Sequence, residues 1–119
     1  MTYLLRDNVI KSHSGRIKFR KNDKGVVHYH IGVWLATSND EERDAVSRVK
    51  YQLHPTFRNR ERRSENRSND FSITFWAWGA FEIEATVHFV DTEREPLVIK
   101  HALRPNLPAD TGDNYEQVN

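Results

Sequence analysis

The sequence predicts an all-β chain of antiparallel strands folded as a sandwich, and three observations carry that prediction. Phe81, Ile83, Ala85, Val87 and Phe89 alternate strictly with Glu82, Glu84, Thr86 and His88, which is the period of a strand with one face in a core and the other in water. The same period runs through Val27, Tyr29, Ile31, Val33 and Leu35 against His28, His30, Gly32, Trp34 and Ala36, over a length that suits a central strand. Helical signal is confined to one short stretch after residue 38, so the layer opposite one sheet has to be a second sheet.

Taken in order, Tyr3 to Ile10 holds two apolar pairs, Leu4-Leu5 and Val9-Ile10, and reads as an edge strand. Ile17 and Phe19 alternate with Arg16, Lys18 and Arg20, and Asn22-Asp23-Lys24-Gly25 supplies a turn into the long strand from Val26 to Thr37. Asn39 followed three residues later by Glu42 is a capping-box-like start, because each side chain can satisfy a free N–H at a helix N-terminus; about two helical turns are expected there as a connector. Strand signal resumes at Val46 to His54, with Val49, Tyr51 and Leu53 on one face. Arg58 to Asp70 sets Arg58, Arg60, Arg62, Arg63 and Arg67 against Glu61, Glu65 and Asp70, and is expected to be a long, mobile, net-basic loop.

Phe71 to Phe75 and Phe81 to Val90 are the next strands, Asp91 to Pro96 a turn and Leu97 to Leu103 a last strand. Pro105 and Pro108 then end regular pairing, since proline lacks the ladder donor. A count of about seven or eight antiparallel strands, without repeats, favours an immunoglobulin-like β-sandwich. Residues 1–105 are assigned to that domain, and residues 106–119, polar and mildly acidic, to a disordered C-terminal tail or a linker.

At 119 residues the chain has the length of one domain. Its 18 lysines and arginines nearly cancel its 17 aspartates and glutamates, leaving a formal net charge of +1. Bulk charge therefore gives no argument for a nucleic-acid or membrane partner, and recognition has to be local. The absence of cysteine excludes a disulfide framework and a thiolate zinc site. No apolar run approaches the roughly 18 residues of a membrane span, and the N-terminus lacks the apolar core of a signal peptide. The expected setting is the cytoplasm in a bacterium or the nucleus in a eukaryote, with no membrane partner and no direct nucleic-acid contact.

The residues between Tyr51 and Ala80 look chosen for a pocket. Trp76-Ala77-Trp78-Gly79 puts two indoles beside a glycine at a strand junction, where backbone can approach a ligand closely. His54, Thr56 and Phe57 end the preceding strand. A planar amide offers two π faces and a donor and acceptor at its edge, which two rings and a hydroxyl can meet. The same rings could simply cap one end of the sandwich, and Trp76, pointing opposite to Phe75, could cover the sheet. His28 and His30 share a strand face and would hold a metal if His88 or Glu84 converged on them. That pattern is the seed of an alternative, a metal-dependent β-sandwich enzyme. Thr56 beside His54, with no matched acid, is a poor nucleophile, so no catalytic residue and no cofactor is assigned. A further alternative is a bacterial signalling or conflict module whose sandwich binds a protein partner.

Val49-x-Tyr51-x-Leu53-His54-Pro55-Thr56-Phe57, followed by Trp78-Gly79-Ala80-Phe81, resembles the two signature blocks of the YEATS domain family, with the likeness extending from about Gly25 to Phe89. That resemblance implies an immunoglobulin-like sandwich that reads acetylated or crotonylated lysine in an aromatic cage, without enzymatic activity. By the likeness, Phe57 and Trp78 match the two rings and Thr56 matches the hydroxyl that bonds the acyl amide. His54 matches the buttressing histidine, and Ala77 and Gly79 fall at backbone positions lining the pocket. The chain departs from eukaryotic members at Ser68-Asn69-Asp70, where they carry prolines, at His30, where they carry tryptophan, and at Ala77, where they carry glycine. Val26 stands where some readers have a further aromatic. These departures make it most similar to the prokaryotic YEATS branch, with an acylated lysine peptide or protein as the implied partner.

Overall fold

Alternating side chains give each strand one face for a core, and the computed structural model, which describes residues 3–105, 107–110 and 112–118, closes those faces on each other between two sheets. The elements are β1 (Tyr3–Val9), β2 (Ile17–Lys21), β3 (Val27–Thr37), the helix α1 (Asp40–Asp44), β4 (Val46–Gln52), β5 (Glu61–Ser64), a 3-10 turn (Arg67–Asn69), β6 (Ile73–Ala77), β7 (Phe81–Phe89), β8 (Leu97–Leu103) and β9 (Tyr115–Gln117). β3 is central, as its length suggested. One edge of it carries β1, with Val9 opposite Ile31, and then β2, with Phe19 opposite Tyr29. Its other edge carries β6, with Tyr29 opposite Ala77 and Ile31 opposite Phe75. β9 lies outside β2, and the second sheet runs β5-β4-β7-β8.

Ile31, Val33 and Leu35 of β3 and Phe75 of β6 join Val49 and Tyr51 of β4 and Ile83, Ala85 and Val87 of β7 in one buried cluster. Each large apolar side chain removed from water here contributes about 1.5–3 kcal/mol, so the alternation seen in the sequence is what holds the sheets together. It also fixes what faces outward: His28 and His30 on the first sheet, Glu84 and His88 on the second.

Several segments differ from the sequence expectation. The Arg58 to Asp70 stretch, expected to be mobile, forms β5 against β4, with Tyr51 opposite Arg62, and then the 3-10 turn. An edge strand needs only backbone pairing, so wholly polar side chains do not prevent it. The helix is five residues rather than two turns, because Val46 must enter the core as the first residue of β4. Its start is as read: the Asn39 side chain accepts the Glu42 N–H at 2.8 Å, and the Glu42 carboxylate accepts the Ser38 N–H at 3.1 Å. The polar C-terminal segment is not wholly irregular. Its β9 pairs in parallel with β2, and Glu116 accepts the hydroxyls of Ser12 and Ser14 at 2.6 and 3.0 Å.

The strand expected from Phe71 begins at Ile73 instead, because Asp70 and Phe71 both take left-handed backbone, at φ 59° and 56°. That conformation costs of order 1–3 kcal/mol per non-glycine residue. Surrounding contacts hold it in place: the Asp70 carbonyl accepts the Leu35 N–H at 3.0 Å, and the Phe71 carbonyl accepts the buried Tyr51 hydroxyl at 2.6 Å. Burial pushes the Tyr51 phenol well above its ordinary pKa, which keeps it a neutral donor.

Candidate functional site

The end of the sandwich where β3 starts and β4 and β6 stop is an open aromatic cleft. Asn22 builds one wall: its side chain accepts the N–H groups of Lys24 and Val26, both at 2.9 Å, and Gly25 takes the positive φ of 75° that the turn requires. Val26 and His28 are thereby delivered to the cleft. The β3–β6 ladder pairs Tyr29 with Ala77, so one residue further out His28 meets Trp78, ring to ring at 6.1 Å. On the other side the Phe57 N–H closes a turn onto the His54 carbonyl at 3.0 Å. Phe57 then packs edge-on against Phe75 at 5.6 Å and tilted against Phe81 at 5.4 Å. The cleft holds about 380 Å³ and is lined by Asn22, Val26, His28, Thr56, Phe57, Arg58, Trp76 and Trp78.

Thr56 is the polar group aimed by its neighbours. Its backbone N–H donates to His54 Nδ1 at 3.2 Å, and its Oγ1 lies 2.8 Å from the same nitrogen. An N–H can only donate, so Nδ1 is the acceptor and the imidazole carries its proton on Nε2. The Thr56 hydroxyl therefore also donates to Nδ1, which leaves the Oγ1 lone pairs free to accept from a ligand N–H.

Of the residues singled out from sequence, Thr56, Phe57, Trp76 and Trp78 share the cleft. His54 stands behind it, edge-on to Trp78 at 5.8 Å and to Phe81 at 6.1 Å. Ala77 turns its methyl into the core at 1% exposure, and Gly79 is half-buried with open space where a Cβ would be; neither lines the cleft. Trp76 does cover the sheet, stacked on His30 at 4.6 Å and 7°, while also forming part of the cleft wall. His28, weighed from sequence only as one half of a conditional metal pair with His30, joins the cleft. His88 and Glu84 project from the outer face of the opposite sheet, with the core between, so they cannot complete a site with His28 and His30; among the described residues no group of three His, Cys, Asp or Glu could hold a metal.

Asn22 and Arg58 were not singled out for the pocket. The Asn22-Asp23-Lys24-Gly25 turn was visible, but that it reaches the cleft depends on β3 pairing with β6, a contact between distant segments with no local signal.

His30 has its pKa held below the ordinary histidine value, first by burial and then by the charges of Lys18 and Arg20. Arg20 holds its guanidinium carbon 4.1 Å from the centre of the Trp76 ring, with the Lys18 ammonium at 6.0 Å. The cleft wall is thus aromatic inside and cationic along its rim.

A two-sheet sandwich with an aromatic opening at one end, lined in part by Thr56, makes this end the candidate binding site. The chain belongs to the prokaryotic YEATS domain family, whose model it matches over residues 29–101. It is 45% identical over 53 residues to transcription initiation factor TFIID subunit 14 of Schizosaccharomyces pombe, an alignment covering 43% of this chain and about a fifth (21%) of that relative. Among solved structures it is similar to the yeast AF-9 homolog Yaf9. One is the Yaf9 YEATS domain recognizing an H3K122suc peptide (TM-score 0.61, 23% identity, 87% of this chain and 70% of that one). Another is the Yaf9 YEATS domain bound to H3K27ac (TM-score 0.61, 22% identity, 93% and 81%). At such identities the likeness to the solved structures establishes the fold.

Proposed function

We propose that the protein is a non-enzymatic reader whose cleft takes an acylated lysine, or a similar flat amide-bearing side chain, between Phe57 and Trp78. The observation that carries this reading is Thr56 on the lining of the aromatic cleft, with its Oγ1 2.8 Å from His54 Nδ1. An acyl-lysine amide has an N–H to give and two flat faces to cover, and Thr56 Oγ1 with the two rings matches both needs. Family membership and the acylated H3 peptides recognised by the Yaf9 domain support the same ligand class.

Binding requires a movement. The Phe57 and Trp78 centroids are 6.1 Å apart with planes at 51°, whereas a flat group between two rings needs roughly 3.5–4 Å on each side, or about 7–8 Å in all. Trp78 is the ring able to yield. It is 43% exposed, it lies just past the end of β6, and nothing stands within 4 Å of a Cβ position at Gly79 behind it. Phe57 is wedged against Phe75 and Phe81 and stays.

Titrating isotope-labelled protein with an acetyl-lysine peptide, followed by NMR, tests the reading. The Thr56 amide and Trp78 indole signals should move together, and an unmodified peptide should leave them in place. Equal shifts with both peptides, or shifts confined to another face, would refute it.

A further inference from the structure

We infer that the segment carrying the bound side chain is acidic: its carboxylates, one to a few residues from the acyl group, sit on Arg20 and Arg58 at the two rims of the cleft. This inference rests on the acyl-reader reading above and adds the character of the surrounding sequence.

The net charge of +1 conceals a local group of cations beside the cleft. Nearest the cleft, β2 and the turn after it hold Lys18, Arg20, Lys21 and Lys24 against one acid, Asp23. Arg58 lines the opposite wall, followed closely by Arg60, Arg62 and Arg63. Acids are present at this end as well, Glu61 on β5, Glu82 and Glu84 on β7 and Glu116 on β9, and a further group stands at the far end of the long strands. α1 contributes Asp40, Glu41 and Glu42, and the β7–β8 turn contributes Asp91, Glu93 and Glu95, joined to α1 by the Val90 N–H on the Ala45 carbonyl at 2.9 Å. A basic residue flanking the bound side chain meets like charge on both rims, while an acidic one is attracted to them.

The two rim arginines are also available. Among the described residues neither Arg20 nor Arg58 nor Lys18 is ion-paired with an acid; the nearby Glu61 is held by Lys50 at 3.1 Å. Arg20 rests its guanidinium on Trp76 at 4.1 Å, and that ring lines the cleft, so its donors are held beside the ligand instead of roaming in solvent. Stacking leaves the guanidinium edge to take a carboxylate through paired N–H bonds. A polynucleotide is the less suitable polyanion, because Trp76 is already stacked on His30 and contacted by Arg20, which leaves it poorly placed for bases.

The test uses peptides of one length with a central acetyl-lysine flanked by glutamates, by serines or by lysines, each also made with unmodified lysine, against wild type, Arg20→Gln and Arg58→Gln. Both substitutions are on exposed residues, and a thermal melt checks that the variants fold. The acidic acetylated peptide should bind roughly three- to tenfold more tightly than the serine peptide and more tightly still than the lysine peptide. The advantage should shrink as salt rises to about 0.5 M and fall in both variants. Acetyl-dependent binding that ignores the flanks, or prefers lysines, would overturn the inference and leave the reader reading intact. Flank-dependent binding that ignores acetylation would refute the reader reading and with it this inference. A duplex oligonucleotide that binds more tightly than the acidic peptide, and weakens in Arg20→Gln, would also overturn it.

Discussion

Phe57 and Trp78 face each other across the mouth of the cleft, 6.1 Å between ring centres and tilted by 51°, so the two rings close the gap that an amide would occupy. Closure limits the water-exposed area of two large rings, and opening it is part of the binding free energy. Trp78→Phe keeps a ring but a smaller one, and should bind an acyl-lysine peptide within about threefold of wild type. Isothermal titration of that variant with the acetylated peptide checks this, and a loss as severe as complete removal of the ring would contradict it.

Thr56 should act through its lone pairs. Thr56→Val keeps the shape and removes the acceptor, so acyl-peptide affinity should fall by roughly five- to tenfold, the worth of about 1 kcal/mol for one hydrogen bond. Thr56→Ser should keep most of the affinity. The thermal midpoint of both should match wild type, since Thr56 is exposed; a destabilised Thr56→Val would reassign the hydroxyl to the fold.

Tyr51→Phe tests the support beneath the Asp70–Phe71 turn. Removing a hydroxyl that donates to the Phe71 carbonyl at 2.6 Å in the buried core leaves that carbonyl unpaired, a loss of about 1–3 kcal/mol. Urea unfolding should show it as a lower midpoint with an unchanged slope. A variant as stable as wild type would mean that other contacts hold the left-handed pair.

Acid should destabilise the fold through two histidines. His30 is held below the ordinary value by burial, Lys18 and Arg20, and His88 by burial, Arg48 and Lys50. Each has a buried nitrogen, His30 Nδ1 and His88 Nε2, without a hydrogen-bond partner among the described residues. A histidine that binds its proton more weakly when folded leaves stability untouched well above about pH 6.5. Stability then declines as pH falls through that value towards the lower folded pKa, below which the loss is complete. The thermal midpoint should drop between about pH 7.5 and 5, and a His30→Gln, His88→Gln double variant should lose part of that drop. An unchanged drop would assign it to other groups.

The fold was legible because its signal is local: the alternation of β3, β4 and β7 names core residues such as Ile31, Val49 and Ile83 without knowing any partner. The left-handed turn at Phe71 was not, because an aromatic residue in an apolar run reads as strand, and only Tyr51, twenty residues away, reveals why it is held otherwise. β5 and β9 were missed for a related reason, since their polar side chains add nothing to a core and their pairing is set by the free edges of β4 and β2. Thr56, Phe57 and Trp78 could be grouped from the signature blocks. Asn22, His28 and Arg58 come to the same cleft through strand register and chain return, which sequence spacing does not express.

The reader account stands or falls on one titration, in which acetylated and unmodified lysine peptides of the same sequence are added to wild type, Phe57→Ala and Trp78→Ala while tryptophan fluorescence is followed. Wild type should prefer the acetylated peptide, and each alanine variant should bind it at least about tenfold more weakly while remaining folded, since about 1.4 kcal/mol is one decade of affinity. Equal affinity of wild type for the two peptides, or undiminished binding by both variants, would contradict the account.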